Sequence, residues 1–88
     1  MKEIVRWPLY AANWKMYKTR SEAEAFIQEF LPLLGDHDNE VVICPAATLL
    51  PVVAQAVEGS CVAVGAQNMH WAAEGAFTGE LSAAMVKD

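Results

Sequence analysis

The first residues with chemistry to offer are Asn13 and Lys15, a carboxamide and a primary amine two positions apart at the end of the apolar run Leu9-Tyr10-Ala11-Ala12. Along a strand, alternate residues share a face. Leu9, Ala11, Asn13 and Lys15 are therefore expected on one side, and Tyr10, Ala12, Trp14 and Met16 on the other. The bulky side has a packing role. The polar pair stands over small Ala11, leaving room for a ligand or for the interior of a closed sheet. Two ordinary solvent-facing residues at a strand end fit this stretch alone equally well.

Other candidates are weaker. His37 sits in the charged turn Asp36–Glu40 and reads as solvated, whereas His70 lies beside Trp71 in an aromatic-bearing connector, a setting that favours contacts. Gln67 and Asn68 either satisfy backbone groups at a strand end or touch a substrate. Cys44 and Cys61 are 17 positions apart, with no C-x-x-C and no histidine at ligand spacing, so neither a zinc site nor a disulfide framework is indicated. Both fall in apolar runs and are expected to be buried free thiols in a reducing compartment. Nucleotide chemistry of the usual kinds needs a glycine-rich turn after the first strand, and here that turn reads Asn13-Trp14-Lys15-Met16-Tyr17.

Composition narrows the class further. The 88 residues are 55% hydrophobic and 19% charged, rich in core residues for so short a chain, which suggests that some apolar surface is meant for a partner. The net charge of −5 is unevenly spread: residues 1–20 carry five basic groups and one acidic, and residues 21–88 carry one basic and ten acidic. An acidic body of this kind argues against nucleic acid as a partner. The N-terminus is interrupted by Lys2, Glu3 and Arg6 and has no signal-peptide core. The longest uncharged stretch, Val41–Val57, is broken by Pro45 and Pro51, so no membrane helix is expected and the chain reads as cytoplasmic.

These residues need elements to hold them. Ser21 and Glu24 have capping-box spacing ahead of a helical stripe of Ala23, Phe26, Ile27, Phe30, Leu31 and Leu34. Pro32 is expected to kink or shorten that helix, and Gly35 to stop it. Val41-Val42-Ile43-Cys44 is a continuous apolar run of the type buried in parallel sheets, ended by Pro45. A second helix is expected from about Thr48, with Pro51 in its first turn, a stripe of Leu50, Val53, Ala54 and Val57, and a stop at Gly59. A third strand, Cys61–Ala66, leads into Gln67-Asn68. The long connector Met69–Leu81 follows, and then a helix from Ser82. Strand and helix alternating in this way predict right-handed crossovers and an all-parallel sheet with unpaired outer strands, an incomplete unit.

Taken together, Asn13-Trp14-Lys15-Met16, Cys44-Pro45, and Gly65-Ala66-Gln67-Asn68 followed by Gly75-Ala76-Phe77-Thr78-Gly79-Glu80 resemble the N-terminal third of the triose-phosphate isomerase family. Ala12 stands where that family usually has glycine, and Ala46 and Ala47 replace its common Pro-Phe. The resemblance implies an α/β fold, a TIM (β/α)8 barrel of which residues 1–88 form one incomplete portion: three strands, two helices, an interface loop and the start of a third helix. It implies interconversion of dihydroxyacetone phosphate and glyceraldehyde 3-phosphate, a step of glycolysis and gluconeogenesis, through an enediolate and without a cofactor or metal. Lys15 then matches the catalytic, substrate-binding lysine and Asn13 the substrate-binding amide beside it. A fixed cation suits a dianionic substrate and an oxyanionic intermediate. The family's glutamate base and histidine electrophile come from later strands, and neither His70 nor Glu80 matches them.

In the same resemblance the connector is the dimer loop. Thr78 matches the threonine that reaches the second subunit, Glu80 an ion-pairing glutamate, and Phe77 and Gly79 lie within the same interface motif. The implied partners are the phosphorylated triose, the remainder of the barrel and a second copy. A free-standing phosphate-binding module and a non-catalytic assembly fragment are the alternative readings of the residues themselves.

Overall fold

A computed structural model describes residues 8–35 and 39–88. The charged N-terminal residues and His37 lie outside the described residues. Three strands, β1 (Leu9–Asn13), β2 (Glu40–Cys44) and β3 (Val62–Val64), form a parallel sheet in the order β1-β2-β3. Helix α1 (Arg20–Leu34) joins the first two strands, and α2 (Leu50–Ala56), entered through a 3-10 turn at Ala47–Leu49, joins the second and third. A short α3 (Ala83–Lys87) follows the connector. The alternation expected from the sequence is present, with parallel pairing throughout.

The register sets Tyr10, Val41 and Val62 side by side, then Ala11, Val42 and Ala63, then Ala12, Ile43 and Val64. Val41, Ile43 and Val62 are buried beneath the helices with Ala23 and Ile27 of α1 and with Leu49, Val53 and Val57 of the second crossover. Trp14 completes this core, meeting Phe26 edge-on at 5.5 Å between ring centres. The opposite sheet face is marked by Gly65, where a Cβ would sit 3.2 Å from Cys44 Sγ and 3.5 Å from Val42 Cγ2. That face, with Ala11 and Asn13 in register alongside, has no helix over it among the described residues.

Several local expectations are corrected. Helix α1 is capped by Thr19 and Glu22, two positions before Ser21 and Glu24: Thr19 has extended φ/ψ of −88° and 175°, and the Glu22 carboxylate accepts its N–H and its hydroxyl, each at 2.9 Å. Glu24 instead pairs with Arg20 at 2.9 Å along the helix surface. Pro32 does not end α1, which runs on to Leu34 before Gly35 stops it at a positive φ of 65°. Pro32 has no N–H to donate to the carbonyl four residues back, and the helix ends two residues later. The buried stripe of the second crossover is Leu49 just before α2, Val53 within it and Val57 just after it, while Ala54 is exposed and Leu50 half-buried. The preceding 3-10 turn advances only three residues per turn and resets the helical phase.

The third strand is shorter than its apolar run. Gly65 N–H still donates to Ile43 O at 2.9 Å, but β2 ends at Cys44 and Pro45 has no N–H to prolong the ladder. Cys61 falls before the paired segment and is exposed, and Cys44 is half-buried on the uncovered face, so neither is the fully buried thiol expected. The strand-face alternation also ends early. Beyond Asn13 the chain turns, so Lys15 stands in a turn and not in the strand, and Met16 is 95% exposed.

Candidate functional site

The carboxyl ends of all three strands converge on the turn after β1. Trp14 N–H donates to Cys44 O at 3.0 Å, extending the β1–β2 ladder by one bond. The backbone then enters the left-handed region at Lys15, φ 54°, and again at Lys18, φ 78°. For a residue with a side chain this costs on the order of 1–2 kcal/mol, so the surroundings must impose it.

Two side chains do so. Asn13 Oδ1 accepts the Lys15 N–H at 2.8 Å, and Gln67 Nε2 donates to the Lys15 carbonyl at 2.9 Å. The same Gln67 nitrogen donates to Cys44 O at 2.9 Å, so one carboxamide beyond β3 ties the β1 turn to the end of β2. Both peptide groups of Lys15 are thereby held by side chains. Behind the turn, Lys18 Nζ lies 5.1 Å from the Phe26 ring centre and 5.5 Å from that of Trp14, a cation over two aromatic faces that secures the return into α1.

The Lys15 and Asn13 side chains are exposed at this strand end, and Lys15 forms no ion pair among the described residues. What the arrangement offers is a positive charge on a backbone whose conformation is fixed. Ligand sites in parallel α/β sheets lie at the carboxyl ends of the strands, where this turn falls. Gln67, which the sequence left between a structural and a substrate role, serves the backbone. The part played by Lys18 had no sequence signal.

The connector brings other candidates together. His70 N–H donates to Leu81 O at 2.8 Å, closing the connector at its base. Phe77-Thr78-Gly79-Glu80 is a tight turn, with Glu80 N–H donating to Phe77 O at 3.0 Å and Gly79 at φ 85°. Gly79 and Glu80 meet Asn68 across a crevice of about 140 Å³. Thr78 is exposed at the turn, and Phe77 lies against the imidazole of His70. Glu80 has no ion-pair partner among the described residues. Larger grooves, about 480 Å³ between α1 and α2 and about 430 Å³ beside the β1 edge, are not lined by Asn13 or Lys15. Among the described residues no group of three or more His, Cys, Asp or Glu is placed to hold a metal, and no helix is long and apolar enough to cross a membrane.

A parallel sheet with helices on one face, and a fixed cationic turn at the carboxyl ends of its strands, is the arrangement of a portion of a (β/α) barrel. The sequence model of the triosephosphate isomerase family matches residues 8–88. The chain belongs to that family. It is 49% identical over 85 residues to triosephosphate isomerase of Dictyoglomus thermophilum, covering 96% of this chain and 34% of the relative. With that of Synechocystis sp. it shares 50% over 82 residues, 91% of this chain and 34% of the relative. The crystal structure of triosephosphate isomerase from Bartonella henselae superposes with a TM-score of 0.81 at 34% identity, over 91% of this chain and 33% of that one. The chain thus spans about one third of the length of the relatives it matches.

Proposed function

We propose that residues 1–88 are the N-terminal portion of one triosephosphate isomerase barrel domain, and that Asn13 and Lys15 hold the phosphorylated triose. The complete protein interconverts dihydroxyacetone phosphate and glyceraldehyde 3-phosphate through an enediolate, in the cytoplasm, within glycolysis and gluconeogenesis. The observation that carries this reading is the left-handed backbone of Lys15, clamped by Asn13 and Gln67 at the meeting point of three strand ends. Strain held so firmly in an otherwise exposed turn marks a residue whose position matters.

In this reading the ammonium of Lys15 attracts the dianionic substrate against the acidic balance of the chain. It then stabilises the oxyanion that develops as a proton leaves the carbon next to the carbonyl. Asn13 serves in two ways, its Oδ1 positioning Lys15 while its amide nitrogen remains available to the ligand. The base and the electrophile belong to the remainder of the barrel. The reaction moves protons within a single substrate, so its balance calls for no cofactor.

The connector supplies the subunit contact of a homodimer, with Phe77, Thr78, Gly79 and Glu80 at the partner. The exposed apolar side chains of Met69, Trp71 and Phe77 support that assignment. The deciding experiment is Lys15→Met in the complete protein, which keeps most of the bulk and removes the charge. Turnover is expected to fall by about 10²–10³. Near-normal steady-state kinetics would remove Lys15 from the role and the reading with it.

A further inference from the structure

The connector contains a packing unit that neither the substrate site nor the turn at Thr78 requires. The His70 imidazole stacks on Trp71 at 4.3 Å and 25°, and lies against Phe77 at 4.1 Å and 35°. Gly75 makes this possible: a Cβ there would lie 2.6 Å from the Phe77 ring, and its φ of 151° suits glycine alone. The His70 N–H to Leu81 O bond ties the start of the loop to its end. Imidazole Nε2 is buried and has no hydrogen-bond partner among the described residues. Among the described residues the contacts of the imidazole are made through its ring faces. Trp71 gives one face to His70 and remains 91% exposed.

We propose that His70 is a positioning residue that pre-forms the connector for docking against a second copy of the complete protein. Its two stacking contacts make the loop a small core of its own, so Trp71 and the Phe77–Glu80 turn are presented already ordered. A loop ordered before association forfeits less freedom on binding, and a rigid aromatic with an open face is an efficient contact. This inference rests on the reading of the connector as a subunit contact.

The test uses the complete protein. His70→Leu keeps apolar bulk but removes the aromatic faces, and His70→Phe keeps the faces while removing the unpaired nitrogen. Dimer dissociation constants are measured by sedimentation over a dilution series. Loss of both stacking contacts is expected to raise the constant about tenfold or more in His70→Leu. His70→Phe is expected within about threefold of the parent, because stacking carries the effect. An unchanged constant in His70→Leu, or a His70→Phe as weak as His70→Leu, overturns the proposal. Thr78→Arg separates the two readings. If it leaves the dimer as tight as the parent, the subunit-contact reading fails and this inference falls with it; if it dissociates the dimer while His70→Leu does not, only this inference fails.

Discussion

At the scale of single residues, the most informative one is Gln67, which touches no ligand in the proposed chemistry yet holds the residue that does. Its nitrogen has two protons and commits both, to Lys15 O and to Cys44 O. Cys44 O also accepts from Trp14 N–H, so the three strand ends share one acceptor. Gln67→Met keeps length and loses both bonds, leaving Lys15 free to relax out of its left-handed conformation. In the complete protein this is expected to lower kcat/KM by about 10²-fold, the typical effect of displacing a reacting group by about an ångström. Stability should fall less, by about 1 kcal/mol, since solvent reaches this strand end and can replace the lost partners. Steady-state kinetics check the first figure and denaturant unfolding the second. Parental kinetics would mean that Asn13 alone fixes the turn. Little of this was legible in the sequence. Asn13 is the local half of the clamp, but a lysine at a left-handed position is not announced as glycine would be, and the other half comes from a side chain 52 residues away.

At the scale of elements, the order of strands and helices was readable because alternating apolar runs and one-sided stripes report directly on burial. Their edges were not, and α1 shows why. Thr19 and Ser21 both precede an acidic residue by three positions, Glu22 and Glu24, so the capping pattern occurs twice, and only the backbone decides between them. The phase of α2 was equally hidden, because a 3-10 entry leaves no mark in composition. The choice of Thr19 has a titratable consequence. The Thr19 backbone N–H, then its hydroxyl, and more weakly Lys18, hold the Glu22 carboxyl below its usual 4.5. A carboxylate with a lowered folded value stabilises fully above its unfolded value and loses that stabilisation as pH falls through the folded one. Glu22→Gln keeps an acceptor oxygen without the charge. The complete parent protein should melt above this variant at pH 7, and the gap should close as pH drops below 4.5. Melting curves over pH check this. A gap that persists in acid would assign the difference to side-chain packing and not to the carboxylate.

At the scale of the whole molecule, the surface decides what the isolated chain can do. A compact chain of 9.6 kDa exposes about 5,100 Å², whereas this one exposes 7142 Å². Its radius of gyration is 15.0 Å, against about 12 Å for a compact domain of this length. Part of the excess lies on the sheet and its margins. Among the described residues the sheet face of Ala11, Val42 and Gly65 has no helix over it, β1 and β3 have no further strand beside them, and Leu9 and Tyr10 on β1 are 59% and 58% exposed. Unpaired strand edges flanked by apolar residues recruit other strands, and a core this small leaves little margin over conformational entropy. The purified 88-residue chain is therefore expected to associate with rising concentration, to bind a hydrophobic dye, and to unfold over a broad, concentration-dependent transition. Isomerase turnover should be absent, since the proposed base lies outside residues 1–88 and the loss of such a group alone typically costs about 10²–10⁴ in rate. Mixing with the separately expressed remainder of the barrel should suppress dye binding, because the same edges and the same face are those a closed barrel pairs and fills. A monomer with a sharp unfolding transition and no dye binding would show that three strands suffice, and that the exposed sheet is a stable surface in its own right.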